Sequence, residues 1–161
     1  MMESSAKRTL IILYSYHHMN TEKIARSIAA VLESEIRQPQ DIKPDEINEY
    51  ILVGFGAGID SGKHYKPILE FADNLPAGNG LKVFIFSTSG VSSKKKIVKD
   101  HKALREILLS KGYNVVNEFG CKGYNTNSVL KYIGGMNKNR PNDEDLKNAE
   151  DFARELKQHI T

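Results

Sequence analysis

Residues 8–28 read RTLIILYSYHHMNTEKIARSI, and the rest of the chain is organised around this stretch. Thr9 to Tyr14 is an apolar run with β-branched and aromatic members. It has the length of a buried parallel strand and falls far short of a bilayer span. Ser15 to Thr21 then crowds hydroxyl, imidazole and amide groups onto one turn, and Ile24, Ala25, Ile28, Ala29, Val31 and Leu32 recur behind it at helical spacing. Asn20 or Thr21 suits the N-cap of that helix. Strand, polar turn and helix N-terminus in succession leave backbone N–H groups and the positive end of a helix dipole at the turn, an arrangement that favours a phosphate. Ser15, His17, His18, Asn20 and Thr21 would add side-chain donors. The same residues equally suit an ordinary loop whose polar groups cap the helix and meet water, so the remaining chain has to discriminate.

A chain of 161 residues has the length of one domain with a substantial core. The expectation is a single domain over residues 1–161, with 1–7 a flexible N-terminal extension. Hydrophobic residues at 40% and charged residues at 27% match a soluble globular protein. With no apolar run of membrane length and no secretory signal in MMESSAKR, a cytoplasmic location is expected. The lone Cys121 excludes an intramolecular disulfide and any CxxC pattern, so redox chemistry would need a bound cofactor. Cys121 itself reads as a buried strand-end residue. A net charge of +3, scattered apart from Lys94-Lys95-Lys96, is too little for a nucleic-acid stripe, and a solvated helix face accounts for that run.

Glycine and proline divide the rest into alternating strand and helix units, which argues for a parallel sheet covered on both faces. Glu35 to Arg37 supplies a short second strand, and Pro39 to Asn48 a turn-rich connection with little room for a full helix. Tyr50 to Gly54 reads as the third strand, followed by a glycine-rich turn, FGAGIDSG, and a helix carrying Ile68, Leu69, Ala72 and Leu75. Leu81 to Phe86 is the fourth strand, ending in the small polar turn Ser87 to Gly90. One helix with Leu104, Ile107 and Leu108 follows, stopped by Gly112 as a left-handed cap. Tyr113 to Phe119 is the fifth strand. The irregular stretch from Gly120 to Pro141 invites a lid or a homodimer contact. The last helix starts near Asn142, with Asp143, Glu144 and Asp145 in its first turn, and turns Leu146, Ala149, Ala153, Leu156 and Ile160 inward.

In such a sheet the strand C-termini share one edge, where ligands bind. Three turns therefore converge there: an anion site at Ser15 to Thr21, glycine backbone at Gly56 to Gly62, and hydroxyls and amides at Ser87 to Gly90. The set matches a flat heterocycle joined to a phosphate. On SYHHMNTEKIA, the pair GFGAGI and FSTSG, and the tail KYIGGMNKNRPNDEDLKNA, the chain resembles the flavodoxin family over nearly its whole length. The resemblance implies a flavodoxin-like three-layer α/β sandwich, a five-stranded parallel sheet in the order 2-1-3-4-5, and FMN as cofactor. It sets the FMN phosphate at Ser15, His17, His18, Met19, Asn20 and Thr21. The ring would lie against Gly56, Ala57, Gly58 and Ile59 on one side and Ser87, Thr88, Ser89 and Gly90 on another. Met19 stands where the family commonly has Gly, and Tyr65, Tyr124 or Tyr132 would take the place of the family's ring aromatics.

Lys63 and His64 are expected as an exposed loop pair. Ser87 to Ser89 lack the G-x-S-x-G nucleophile signature. Tyr14-Ser15-Tyr16 lacks the acidic cluster of a receiver domain, and Gly56-Ala57-Gly58 does not complete a dinucleotide fingerprint. The expected function is an FMN-binding electron-transfer protein, with no catalytic side chain, that meets a redox partner protein or a small-molecule acceptor. An FMN-dependent NAD(P)H reductase of quinones, or a flavodoxin-shaped binding module without flavin, would use the same three turns.

Overall fold

The computed structural model describes residues 8–15, 20–90, 93–123 and 139–160. Strand β1 (Thr9–Tyr14) lies inside a parallel sheet, between the short β2 (Glu35–Arg37) and β3 (Leu52–Asp60). Beyond β3 come β5 (Lys82–Ser89) and β6 (Asn114–Lys122), all parallel. Counted among the parallel strands, the order is 2-1-3-4-5, as the resemblance implies. A short additional strand, β4 (Lys63–His64), folds back antiparallel on the end of β3.

Side chains alternate across the strands with period two, and each set meets its own helices. Leu10, Ile12, Val53, Phe55, Val83 and Ile85 face α2 (Lys66–Asp73) and α4 (Lys102–Ser110), where Ile68, Ala72, Leu104 and Leu108 complete the layer. Ile11, Leu13, Phe84 and Phe86 face α1 (Asn20–Leu32) and α5 (Asp143–Lys157), against Ile24, Ile28, Phe152 and Leu156. A central parallel sheet buried on both faces is why its strands read as nearly unbroken apolar runs.

Several local expectations are met. Between β2 and β3 lie two short 3-10 helices, Pro39–Asp41 and Pro44–Glu49. Gly112 has φ +88° behind α4, the left-handed conformation that ends a helix. Helix α5 opens with a reciprocal capping box. The Asn142 side chain accepts from the Asp145 amide at 3.0 Å while the Asp145 carboxylate accepts from the Asn142 amide at 2.8 Å. Asp145 is also paired with Arg140. Cys121 is buried near the end of β6.

Four elements differ from the sequence expectation. Strand β5 continues through Ser87 and Thr88 to Ser89, so most of the stretch read as a small polar turn is strand. The glycine-rich stretch is strand, not turn: β3 runs through it to Asp60, and the chain reverses only at Ser61 and Gly62, with φ +53° and +79°. The reason lies in β5. A Cβ on Gly54 would stand 2.2 Å from the Phe84 ring, and one on Gly56 2.1 Å from the Phe86 ring, so these glycines leave room for aromatic rings inside a continuous ladder. The single helix expected before Gly112 is two, α3 (Lys94–Asp100) and α4, separated at the buried His101. Strand β6 reaches Lys122 and absorbs the start of the stretch read as irregular; residues 124–138 of that stretch lie outside the described residues.

Candidate functional site

The ends of the parallel strands stand together at one edge. Tyr14 pairs across to Ala57, Gly58 to Thr88, and Ser89 to Lys122. The end of β1, the β3–β4 hairpin and the end of β5 therefore converge, as the sequence implied. Ser15 follows β1 directly, and its Oγ is buried without a hydrogen-bond partner among the described residues. A cavity of about 420 Å³ lined by Leu13, Ser15, Glu22, Arg26, Ile36 and Arg37, among others, opens beside it. Asn20 and Thr21 open α1 and are both buried. His17, His18 and Met19 lie outside the described residues.

Two further contacts tie the α1 end of this edge to the end of β5. The Thr21 and Thr88 hydroxyls share a hydrogen bond of 2.7 Å. The Gly123 amide donates to the Ser89 carbonyl at 2.9 Å, and a Cβ on Gly123 would stand 2.7 Å from Asn20 Nδ2. Gly123 thus closes on the start of α1 as only a residue without a side chain does.

At the β3–β4 hairpin, Gly56 and Ala57 are buried within β3, and Gly58 lies under Tyr65, whose ring a Cβ there would meet at 2.8 Å. Tyr65 packs edge-on against Tyr14 at 5.9 Å, which puts an aromatic pair at this edge. Ile59, Ser89 and Gly90 are half-buried, whereas the Ser87 and Thr88 side chains turn inward. Tyr124 and Tyr132 lie outside the described residues.

Behind the β3–β4 hairpin and the end of β5 is a buried polar cluster that the sequence did not reveal. Lys63 is exposed as expected, but His64 is 1% exposed. Its Nε2 donates to the Phe86 carbonyl at 3.0 Å, which fixes the tautomer and leaves the buried Nδ1 without a partner among the described residues. Burial, and next the neighbouring His101, push its pKa down to about 3, so His64 is neutral near pH 7. The His101 ring stands 4.9 Å away, wholly buried. Its Nε2 meets Ser87 Oγ at 2.7 Å and its Nδ1 meets Glu118 Oε1 at 2.9 Å. Arg105 donates to both Glu118 oxygens at 2.7 Å. Burial alone would raise the Glu118 pKa, yet the hydrogen bonds from His101 and Arg105 outweigh it and hold the carboxyl down at about 2. An ionised Glu118 only accepts, so His101 Nδ1 carries a proton and, in the neutral ring, Nε2 accepts the Ser87 hydroxyl. These partners lie 13 to 22 residues apart in the chain, so no local spacing announces them. The one sequence hint is period two, which sets Ser87 on the opposite face from Thr88.

Residues 11–159 match the model of the flavodoxin domain. An uncharacterized protein of Methanocaldococcus jannaschii is 46% identical over 149 residues, which cover 92% of this chain and 97% of that protein. Among solved structures, oxidised flavodoxin 2 from Bacillus cereus superposes with a TM-score of 0.72 at 18% identity, over 94% of this chain and 99% of its own. A flavodoxin from the domain Archaea gives 0.68 at 20% identity, over 96% and 99%. At such identities these two structures speak to the fold alone. The domain match across nearly the whole length carries the family assignment, and the strand order agrees with it: the chain belongs to the flavodoxin family.

Proposed function

We propose that the protein binds FMN at the shared strand edge and transfers electrons to and from a redox partner protein or a small-molecule acceptor. One observation carries this reading. A buried Ser15 hydroxyl without a described partner stands at the mouth of α1, on the same edge as the β3–β4 hairpin and the end of β5. A buried hydroxyl left unpaired costs about 1–3 kcal/mol, and a phosphate at the helix N-terminus would relieve that cost. The residues present fit the group.

Ser15, Asn20 and Thr21, with His17, His18 and Met19 ahead of them, would hold the phosphate. The first-turn amides of α1 and the helix dipole favour its charge. Gly56, Ala57, Gly58 and Ile59 would border the ring through the hairpin, and Ser87, Thr88, Ser89 and Gly90 through the β5 turn. Since the Ser87 and Thr88 hydroxyls are turned inward, their part toward the ring is through backbone groups. FMN, when bound, supplies reversible electron uptake, and the protein sets its orientation and potential. No side chain is required as a catalytic acid or base.

The test is a titration of the purified protein with FMN, followed by visible absorbance and flavin fluorescence. Saturable uptake of one FMN per chain is expected, with riboflavin held more weakly because it lacks the phosphate, and with Ser15→Ala weakening FMN more than riboflavin. Protein that stays colourless in excess FMN would overturn the reading. Steady oxidation of NAD(P)H by the flavin-loaded protein would move it from carrier to reductase.

A further inference from the structure

We propose that His101 is a positioning residue for the end of β5: anchored by Glu118 and Arg105, it holds the Ser87 hydroxyl and thereby sets the orientation of the strand end from Ser87 to Gly90. This rests on the FMN reading, since that strand end is where the ring is placed.

The argument begins with how completely the chain of hydrogen bonds is determined. Arg105 grips both oxygens of Glu118 in a bidentate pair, which fixes the carboxylate plane. Glu118 fixes the tautomer and the tilt of His101, and Nε2 of that ring is left facing Ser87 Oγ at 2.7 Å. The hydroxyl has little alternative, because Gly120 and Ile97 wall it in. A Cβ on Gly120 would stand 3.3 Å from Ser87 Oγ and 2.7 Å from Ile97 Cγ1. Four elements thus meet in one relay: β6 with Glu118, α4 with Arg105, the α3–α4 junction with His101, and β5 with Ser87.

Where the relay ends gives it a purpose. A buried polar network that served stability alone could sit anywhere in the core, and apolar residues of equal size often serve as well. This one ends on Ser87, two residues before β5 stops at Ser89 on the shared edge. A second imidazole holds the residue before it, since His64, from the hairpin that carries Gly56 to Ile59, bonds the Phe86 carbonyl. With the two imidazoles 4.9 Å apart, the hairpin and the end of β5, which would border the flavin, are braced against one another. Preorganisation of this kind is how a fixed frame sets the affinity and the electronics of a bound group.

The experiment compares wild type, Ser87→Ala, His101→Leu, His101→Gln and the Ser87→Ala/His101→Leu double variant. Each is titrated with FMN and with riboflavin, its bound-flavin midpoint potential is measured, and its amide hydrogen exchange is followed without flavin. His101→Leu is expected to weaken oxidised FMN about tenfold and the reduced flavin less, and so to raise the potential by up to about 30 mV, the shift for a tenfold difference between the two in a two-electron couple. His101→Gln should recover most of both, since its amide both accepts from Ser87 and donates to Glu118. The double variant should lose no more than His101→Leu alone, because the imidazole acts through that hydroxyl. The ratio of riboflavin to FMN affinity should stay at the wild-type value, and exchange should rise together in residues 58–64 and 87–90. If His101→Leu does not fold, Ser87→Ala carries the test, since it removes one oxygen. Folded variants with wild-type affinity and potential, or a riboflavin-to-FMN ratio that collapses with them, would overturn the proposal and leave FMN binding standing. Wild type that takes up no FMN would remove both.

Discussion

Gly56→Ala tests the reading of the glycine-rich stretch as strand. The new methyl group would stand 2.1, 2.2 and 2.5 Å from Cζ, Cε2 and Cε1 of Phe86, far inside van der Waals contact. The ring has nowhere to withdraw, since Phe86 is 0% exposed and its ring lies 6.0 Å from that of Phe84 in a stacked arrangement. Overpacking of this kind costs about 1–3 kcal/mol. At roughly 2–4 °C per kcal/mol for a chain of this size, melting should fall by about 2–12 °C. The assay is urea unfolding followed by far-UV circular dichroism, without flavin, on wild type, Gly56→Ala, Phe86→Leu and the double variant. Phe86→Leu alone opens space and should cost on the order of 1–3 kcal/mol. In the Gly56→Ala background the methyl group fills part of that space, so the same change should cost at least about 1 kcal/mol less. A Gly56→Ala protein as stable as wild type, or strictly additive costs, would refute the claim that this glycine exists to seat a ring.

Acidification should unfold the protein in two stages. The folded pKa of His64, about 3, lies below its ordinary 6.5, so the unfolded chain takes up the proton first. Stability is therefore full above pH 6.5 and falls toward pH 3, by at most about 1.4 kcal/mol per pH unit. Glu118, held at about 2 against an ordinary 4.5, adds a loss of the same sign below pH 4.5. Urea midpoints across pH 7 to 3 should flatten above pH 4.5 in His64→Gln and fall less steeply below it in Glu118→Gln, where the His64 contribution persists to about pH 3; unchanged slopes would contradict the cluster's electrostatics. Asn142→Ala removes the side-chain half of the α5 capping box, and a loss of about 1 kcal/mol in the same urea assay is expected. Reversing Lys94 and Lys95, both exposed at the start of α3, to Glu should lower the midpoint potential of bound flavin at low salt and less so at high salt. A potential that does not move would place these charges too far from the ring to act on it.

The amino-acid sequence by itself determined the alternation of strands and helices, the strand edge at which the chain after β1, β3 and β5 converges, the cap at Gly112 and the start of the last helix near Asn142. Each of these is written in neighbouring residues: apolar runs of strand length, apolar positions at helical spacing, and short polar residues or glycine where a helix stops or starts. Tertiary structure alone decided what fills the spaces between elements. Phe84 and Phe86 claimed the room left by Gly54 and Gly56 and so drew β3 through a segment that local rules read as a turn. The burial of His64, and the Ser87–His101–Glu118–Arg105 relay, depend on β5, β6, α4 and the hairpin arriving at one point from distant parts of the chain. Local sequence records the propensity of a segment, but the partner of a buried polar group is chosen only when packing brings it within hydrogen-bond reach, and that distance is a property of the assembled fold.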